Sequence, residues 1–156
     1  MKKSRKFIKK KIKIDNKLSG INLKDAQKKK MPHSIKTMRA TLTDKPFDDK
    51  EWIFETKFDG YRAIAEIKDG KVNLHSRNNN SFNKKFSPIA DSLEIFNFDV
   101  ILDGEIAVLG KDGVSKFQLL QNFQRTGKGN LIYYIFDILY VNGFDLTKML
   151  FIKKTN

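Results

Sequence analysis

The chain has 156 residues, 40% of them apolar and 31% charged, enough for one folded unit with a tail but not for two full domains. It contains no cysteine and only two histidines, His33 and His75, which excludes a disulfide scaffold, a thiol nucleophile, a thiolate zinc site and a histidine-rich metal centre. No apolar run approaches the ~18 residues of a membrane span, and no signal-peptide core follows the basic N-terminus, so a cytoplasmic protein without membrane contact is expected.

The net charge of +13 is unevenly placed. Residues 1–36 carry 14 Lys+Arg and 2 Asp+Glu, whereas 37–156 carry 17 and 16. The first segment, MKKSRKFIKKKIKIDNKLSG followed by INLKDAQKKK, has few large apolar residues and repels itself, which predicts a basic, disordered tail or linker over 1–30. Such a tail either solubilises the chain or follows nucleic-acid phosphates through counterion release. In the second case Lys9, Lys10, Lys11, Lys28, Lys29 and Lys30 are the candidate contacts.

From about Thr37 onward the pattern is globular. Trp52–Lys57 and Tyr61–Ile67 read as two strands joined by a tight hairpin at Phe58, Asp59 and Gly60. Lys71–His75 continues the meander after a turn at Asp69-Gly70. Ser87 and Pro88 make an N-cap and first-turn pair, and Ile89, Leu93 and Phe96 recur at helical spacing behind them. Val100–Leu109 reads as a buried strand pair or a bulged strand around Asp103-Gly104. Ser115 and Gln118 form a capping box ahead of Phe117, Leu120 and Phe123. Leu131–Val141 is an apolar, aromatic strand ending at Asn142-Gly143, the best hairpin signal in the chain. The sum is an α+β fold in which antiparallel strands predominate.

A single histidine in this body leaves no Ser-His-Asp set, and no glycine-rich phosphate loop occurs. What remains is Glu55-Thr56-Lys57-Phe58-Asp59-Gly60-Tyr61-Arg62. Asp-Gly alone is uninformative, since it recurs at 59, 69, 103 and 112. The order E-x-K-x-D-G-x-R says more, because it sets a primary amine between carboxylates with a guanidinium close by, suited to a phosphate. An amine attacks phosphorus only when neutral, and a lysine with pKa ~10.4 is neutral in about one molecule in a few thousand at pH 7. Closing that gap takes roughly 4 to 5 kcal/mol from desolvation or neighbouring cations, so a nucleophilic lysine is expected in a pocket.

ETKFDGYR resembles motif I of the covalent nucleotidyltransferases, the superfamily of ATP-dependent DNA ligases, RNA ligases and messenger-RNA capping enzymes. Three further segments follow in the family's order: Ser76-Arg77 in LHSRNNNSF, LDGEIAVL with Glu105, and YYIFDILYVNG with Phe136 and Asp137. Their wording is similar to that of ATP-dependent DNA ligases. PHSIKTMRATL and SRNNNSFNKKF are most similar to the ligase domain of bacterial non-homologous end-joining ligases, in which a basic linker joins that domain to an end-processing one. The resemblance covers about residues 31–150.

It implies a ligase-type adenylylation domain over 31–150, incomplete at its C-terminus, with an atypical end at 151–156. It implies that Lys57 attacks the α-phosphate of ATP to form a lysyl-AMP, with Mg2+ or Mn2+ as the metal. Glu55 is expected to read the adenine amino group, Arg62 and Arg77 to hold ribose and phosphate, Glu105 to contact the ribose hydroxyls and Phe136 to stack on adenine. Asp59 and Gly60 match the motif as supporting residues, and Asp59 serves Lys57, a metal or the turn. The implied partners are nicked or broken DNA, other end-joining proteins and a complementing ligase chain, at the bacterial nucleoid.

The family's Glu-Gly metal motif and Lys-x-Lys phosphate motif are missing after Asp137: none of the five glutamates (51, 55, 66, 94, 105) precedes a glycine. A truncated ligase, inactive in sealing by itself, is therefore expected. The other readings are a catalytically dead DNA- or ATP-binding module, and an RNA ligase or capping-type transferase.

Overall fold

The computed structural model describes residues 23–149 apart from 39, 51 and 53. After a 3-10 turn at Leu23–Asp25 come β1 (Gln27–Lys28), β2 (Tyr61–Lys68), β3 (Lys71–Ser76), α1 (Ser87–Leu93), β4 (Val100–Leu109), α2 (Phe117–Thr126), β5 (Asn130–Val141) and β6 (Phe144–Asp145). The strands form one sheet in the order β1-β6-β5-β4-β2-β3, every neighbouring pair antiparallel. The α+β class and the antiparallel pairing are as expected.

Two hairpins follow directly from their turn residues. Asp69 and Gly70 (φ 49° and 73°) join β2 to β3, and Asn142 and Gly143 (φ 41° and 92°) join β5 to β6. Positive φ at both central positions gives a turn whose twist matches that of the flanking strands. Asp99 ties the two turns together. Its Oδ1 accepts the N–H of Asp69 at 3.1 Å, its carbonyl accepts that of Asn142 at 2.8 Å, and its own N–H donates to Asn142 Oδ1 at 3.2 Å.

The period of two sorts β2 and β4 onto two faces. Ala63, Ala65, Ile67, Val100, Leu102, Ile106 and Val108 face α1 and α2, which cover them with Ile89, Leu93, Leu120 and Phe123, while Phe82 and Phe86 fill the space between. Burying each of the larger of these side chains stabilises the fold by roughly 1.5 to 3 kcal/mol. Ile64, Ile101, Leu139 and Tyr140 point to the other face beneath Met31 and Ile35. Because β4 is covered on both faces, it reads in sequence as a nearly unbroken apolar run. It is a single strand, bulged against β5 between Ile101 and Leu102 and between Asp103 and Gly104.

Four local expectations are corrected. Residues 52 and 54–57 form no strand, because both edges of β2 are taken, by β3 on one side and β4 on the other, so no hairpin partner fits. Helix α1 starts one residue early: Phe86 holds the cap position, Ser87 lies inside the helix, and no side chain caps it. The helix ends at Leu93, leaving Phe96 outside, edge-on to Phe98 at 5.4 Å. Helix α2 has Lys116 at its cap position without a side-chain bond, so Ser115 and Gln118 make no capping box.

Within the segment read as a tail, residues 23–30 are described, and Gln27 and Lys28 take part in the sheet. β1 pairs with β6, and Leu23 and Ala26 pack on Val141, Leu146 and Met149. Lys9, Lys10 and Lys11 lie outside the described residues, as do 151–156. Among the described residues no helix is long and apolar enough to cross a membrane.

Candidate active site

The charged side chains of β2 and β4 gather on the face away from the helices. Arg62 and Glu105 are direct cross-strand partners, and Glu105 pairs in turn with Tyr134 of β5. Arg77 lies one residue past the Ala63–Ser76 pair, level with Arg62 in register. One transverse row across three strands thus carries Arg62, Glu105 and Tyr134, with Arg77 one residue past the end of β3 beside it. Phe136 joins it at the bulge, with the Arg62 guanidinium 5.6 Å from its ring centre.

Arg62 is held by Asp103, which is 2% exposed. Nε donates to Oδ1 at 3.0 Å and Nη2 to Oδ2 at 2.6 Å, while Nη1 donates to the Met38 carbonyl at 2.7 Å. The two-pronged bond to Asp103 raises the guanidinium pKa further and fixes its plane. Glu105 behaves differently. Burial pushes its carboxyl up to about 7, and the charge of Arg62 and a bond from the Gly60 N–H offset this only in part.

The residues after Lys57 dock on this row one by one. Phe58 stacks on Tyr134 with ring centres 3.9 Å apart and planes 9° from parallel. Asp59 reaches α2: its N–H donates to Ser115 Oγ at 3.2 Å, and its Oδ2 accepts the Phe117 N–H at 2.9 Å. Gly60 passes so close to β4 that a Cβ there would lie 2.1 Å from the Ile106 carbonyl oxygen. A carboxylate in the first turn of a helix also meets the positive end of its dipole.

Of the predicted residues, Arg62, Glu105 and Phe136 are brought together, and Gly60 and Asp59 lock the chain beside them. Arg77 is exposed at the sheet's edge. Glu55 and Lys57 are exposed in the segment before β2, so the expected desolvating pocket around Lys57 is not built by the described residues. Lys28 and Lys30 are exposed at the opposite end of the sheet order, and Lys29 is engaged with Asp145 at 3.2 Å. A separate cleft of about 270 Å3 lies by β3, lined by Met31, His33, Glu66, Lys71 and Asn73 and by none of the predicted site residues.

Sequence reasoning missed Asp103, Ser115 and Tyr134. Asp103 stood in view inside LDGE as one of four Asp-Gly pairs, and its cross-strand neighbours are what distinguish it. The row offers cations and an aromatic face to a nucleotide, which suits ATP. Among the described residues no group of three or more acidic or histidine side chains is placed to hold a metal ion. A metal site is therefore not built from the described residues.

Residues 26–156 match the family model described as ATP dependent DNA ligase domain. The multifunctional non-homologous end joining protein LigD of Pseudomonas aeruginosa is 37% identical over 125 residues, covering 79% of this chain and 15% of that protein. The SPbeta prophage-derived DNA ligase-like protein LigB of Bacillus subtilis is 34% identical over 113 residues, covering 71% of this chain and 38% of that protein. A solved mycobacterial DNA ligase D complexed with ATP and MES superposes with a TM-score of 0.56 at 32% identity, covering 62% of this chain and 32% of that one. The chain spans well under half the length of these relatives.

Proposed function

The chain belongs to the ATP-dependent DNA ligase family, and from that premise we propose that this domain carries the AMP-transfer step of ligation, with Lys57 as the nucleophile. The deprotonated amine of Lys57 forms an N–P bond to the α-phosphorus of ATP, the bond to the β-phosphate oxygen breaks, and pyrophosphate leaves while the amine gives up its remaining extra proton. Support comes above all from the docking of Phe58, Asp59 and Gly60, the three residues that follow Lys57, against β4, β5 and the first turn of α2, the same strands that carry Glu105 and Phe136.

In this reading Phe136 stacks on adenine and Glu55 reads its amino group. Glu105 takes the ribose hydroxyls, and Arg77 with Arg62 faces ribose and phosphate. Because the nitrogens of Arg62 are engaged by Asp103 and Met38, it acts on the phosphate by charge rather than by its fork. A divalent cation, Mg2+ or Mn2+, would supply charge neutralisation at the ATP phosphates, with no group of three or more acidic or histidine side chains among the described residues to hold it. In a complete ligation AMP passes to a 5′-phosphate of nicked or broken DNA, and the 3′-hydroxyl then displaces it, in end-joining repair with other proteins of that process. Basic residues of 1–30 follow the DNA backbone.

The exposure of Lys57 favours a second reading, a nucleotide- or DNA-binding module without chemistry. Incubation with ATP labelled at the α-phosphate separates them. The expected result is an acid-labile, alkali-stable protein label that vanishes in Lys57→Arg, whose guanidinium stays protonated. Absence of label in the folded native chain, or its persistence in the variant, overturns the proposal, and competition by GTP in place of ATP points to a capping-type transferase.

A further inference from the structure

We propose that Ser115 and Tyr134 are positioning residues for Lys57, holding the backbone that follows it in a closed latch between β4, β5 and the first turn of α2. The proposal rests on Lys57 being the nucleophile. A lysine amine on a flexible four-carbon stem reaches a phosphorus atom productively only if its backbone is fixed, because rate depends steeply on the placement of the attacking atom.

The latch closes on itself. Ser115 Oγ accepts from the Asp59 N–H, and two residues further on the Phe117 N–H donates back to the Asp59 carboxylate. Ser115 is also bridged to Leu109 at the end of β4, the strand that carries Glu105 and Asp103. One residue nearer the nucleophile, the Phe58 ring lies flat on Tyr134, which pairs with Glu105. Hydrogen bonds and ring contact therefore refer Lys57 to the same two strands that carry the rest of the site. Ser115 makes no capping box with Gln118, because Lys116 holds the cap position of α2. The structure instead spends both the serine and the helix end on the segment beside Lys57.

The test compares the native chain with Ser115→Ala, Ser115→Thr, Tyr134→Leu and Tyr134→Phe, each checked for folding by circular dichroism. Single-turnover labelling with ATP labelled at the α-phosphate is followed across ATP concentrations, and 15N order parameters are measured at residues 57–60. Ser115→Ala and Tyr134→Leu are expected to lower the maximal rate tenfold or more with the half-saturating ATP within twofold of native. Order parameters at 57–60 should fall from about 0.85 to below about 0.6. Ser115→Thr and Tyr134→Phe should restore most of both.

Unchanged order parameters overturn the latch, as does a loss confined to the half-saturating ATP. A native chain that takes no label while Ser115→Ala still loosens 57–60 overturns Lys57 as nucleophile and leaves the latch standing as a fixture of that segment.

Discussion

Asp59 Oδ2 accepts the backbone N–H of Phe117 at 2.9 Å across 58 residues of sequence. The bond caps a helix with a residue from the segment that holds the candidate nucleophile, so one carboxylate serves both. Asp59→Ala is expected to lower unfolding stability by about 1 kcal/mol, as for other lost N-caps, and Asp59→Asn by clearly less. Urea unfolding followed by circular dichroism checks this. Equal losses in the two variants would show that charge, rather than the acceptor oxygen, carries the effect.

Asp103 and Arg62 form the other long-range pair on this face. Removing only the acid leaves a partly buried guanidinium without its two best acceptors, and Asp103→Ala should cost about 2 to 3 kcal/mol, below the fully buried case because Arg62 keeps some contact with water. Replacing both partners together, Arg62→Met with Asp103→Leu, should recover more than half of that loss. A double variant as unstable as the single one would contradict this account.

Three glycines separate crowding from backbone strain. Ala at Gly60 or Gly104 sets a Cβ 2.1 Å from the Ile106 carbonyl oxygen or 2.3 Å from that of Tyr134, so each should cost about 2 to 3 kcal/mol. At Gly104 the ring of Tyr133 is also in the way, at 2.6 Å. Ala at Gly70 meets nothing but inherits φ +73°, and should cost about 1 to 2 kcal/mol. Thermal unfolding of the three variants gives the order, and Gly70→Ala coming out worst would refute it.

Glu105 and His75 give stability two pH windows that meet near pH 7. The carboxyl of Glu105 is raised from 4.5 to about 7 by burial, so between those values the folded chain keeps a proton that the unfolded chain has released. Stability therefore falls as pH rises from about 4.5 to 7. Glu105→Gln should remove that fall, a gain on the order of 1 kcal/mol at pH 8 once solvent screening of a half-exposed group is allowed for. The pKa of His75 is raised above 6.5 by its bond to Glu66, 3.2 Å away. Its contribution is complete below pH 6.5 and fades as pH climbs through the folded value, so His75→Gln should flatten only the upper part of the curve. Urea midpoints from pH 4 to 9 measure both, and a native curve flat from pH 4.5 to 7 would dismiss the Glu105 effect.

Whatever depends on a few neighbouring residues was legible in the amino-acid order. Asp69-Gly70 and Asn142-Gly143 turn where they stand because positive φ is accessible to them at low cost, and the strands on either side follow from apolar residues that need burial. The order of residues around Lys57 likewise identified the family without any coordinates. Tertiary structure alone decided where competing partners settle. Trp52–Lys57 has the composition of a strand, yet β2 has only two edges, and β3 and β4 occupy them. Ser115 is equipped to cap α2 but receives Asp59 instead, and Asp103 becomes the partner of Arg62 only when β2 and β4 align. In each case distant groups compete for one edge, donor or acceptor, and the outcome depends on the energy of the whole sheet rather than on any window of the chain.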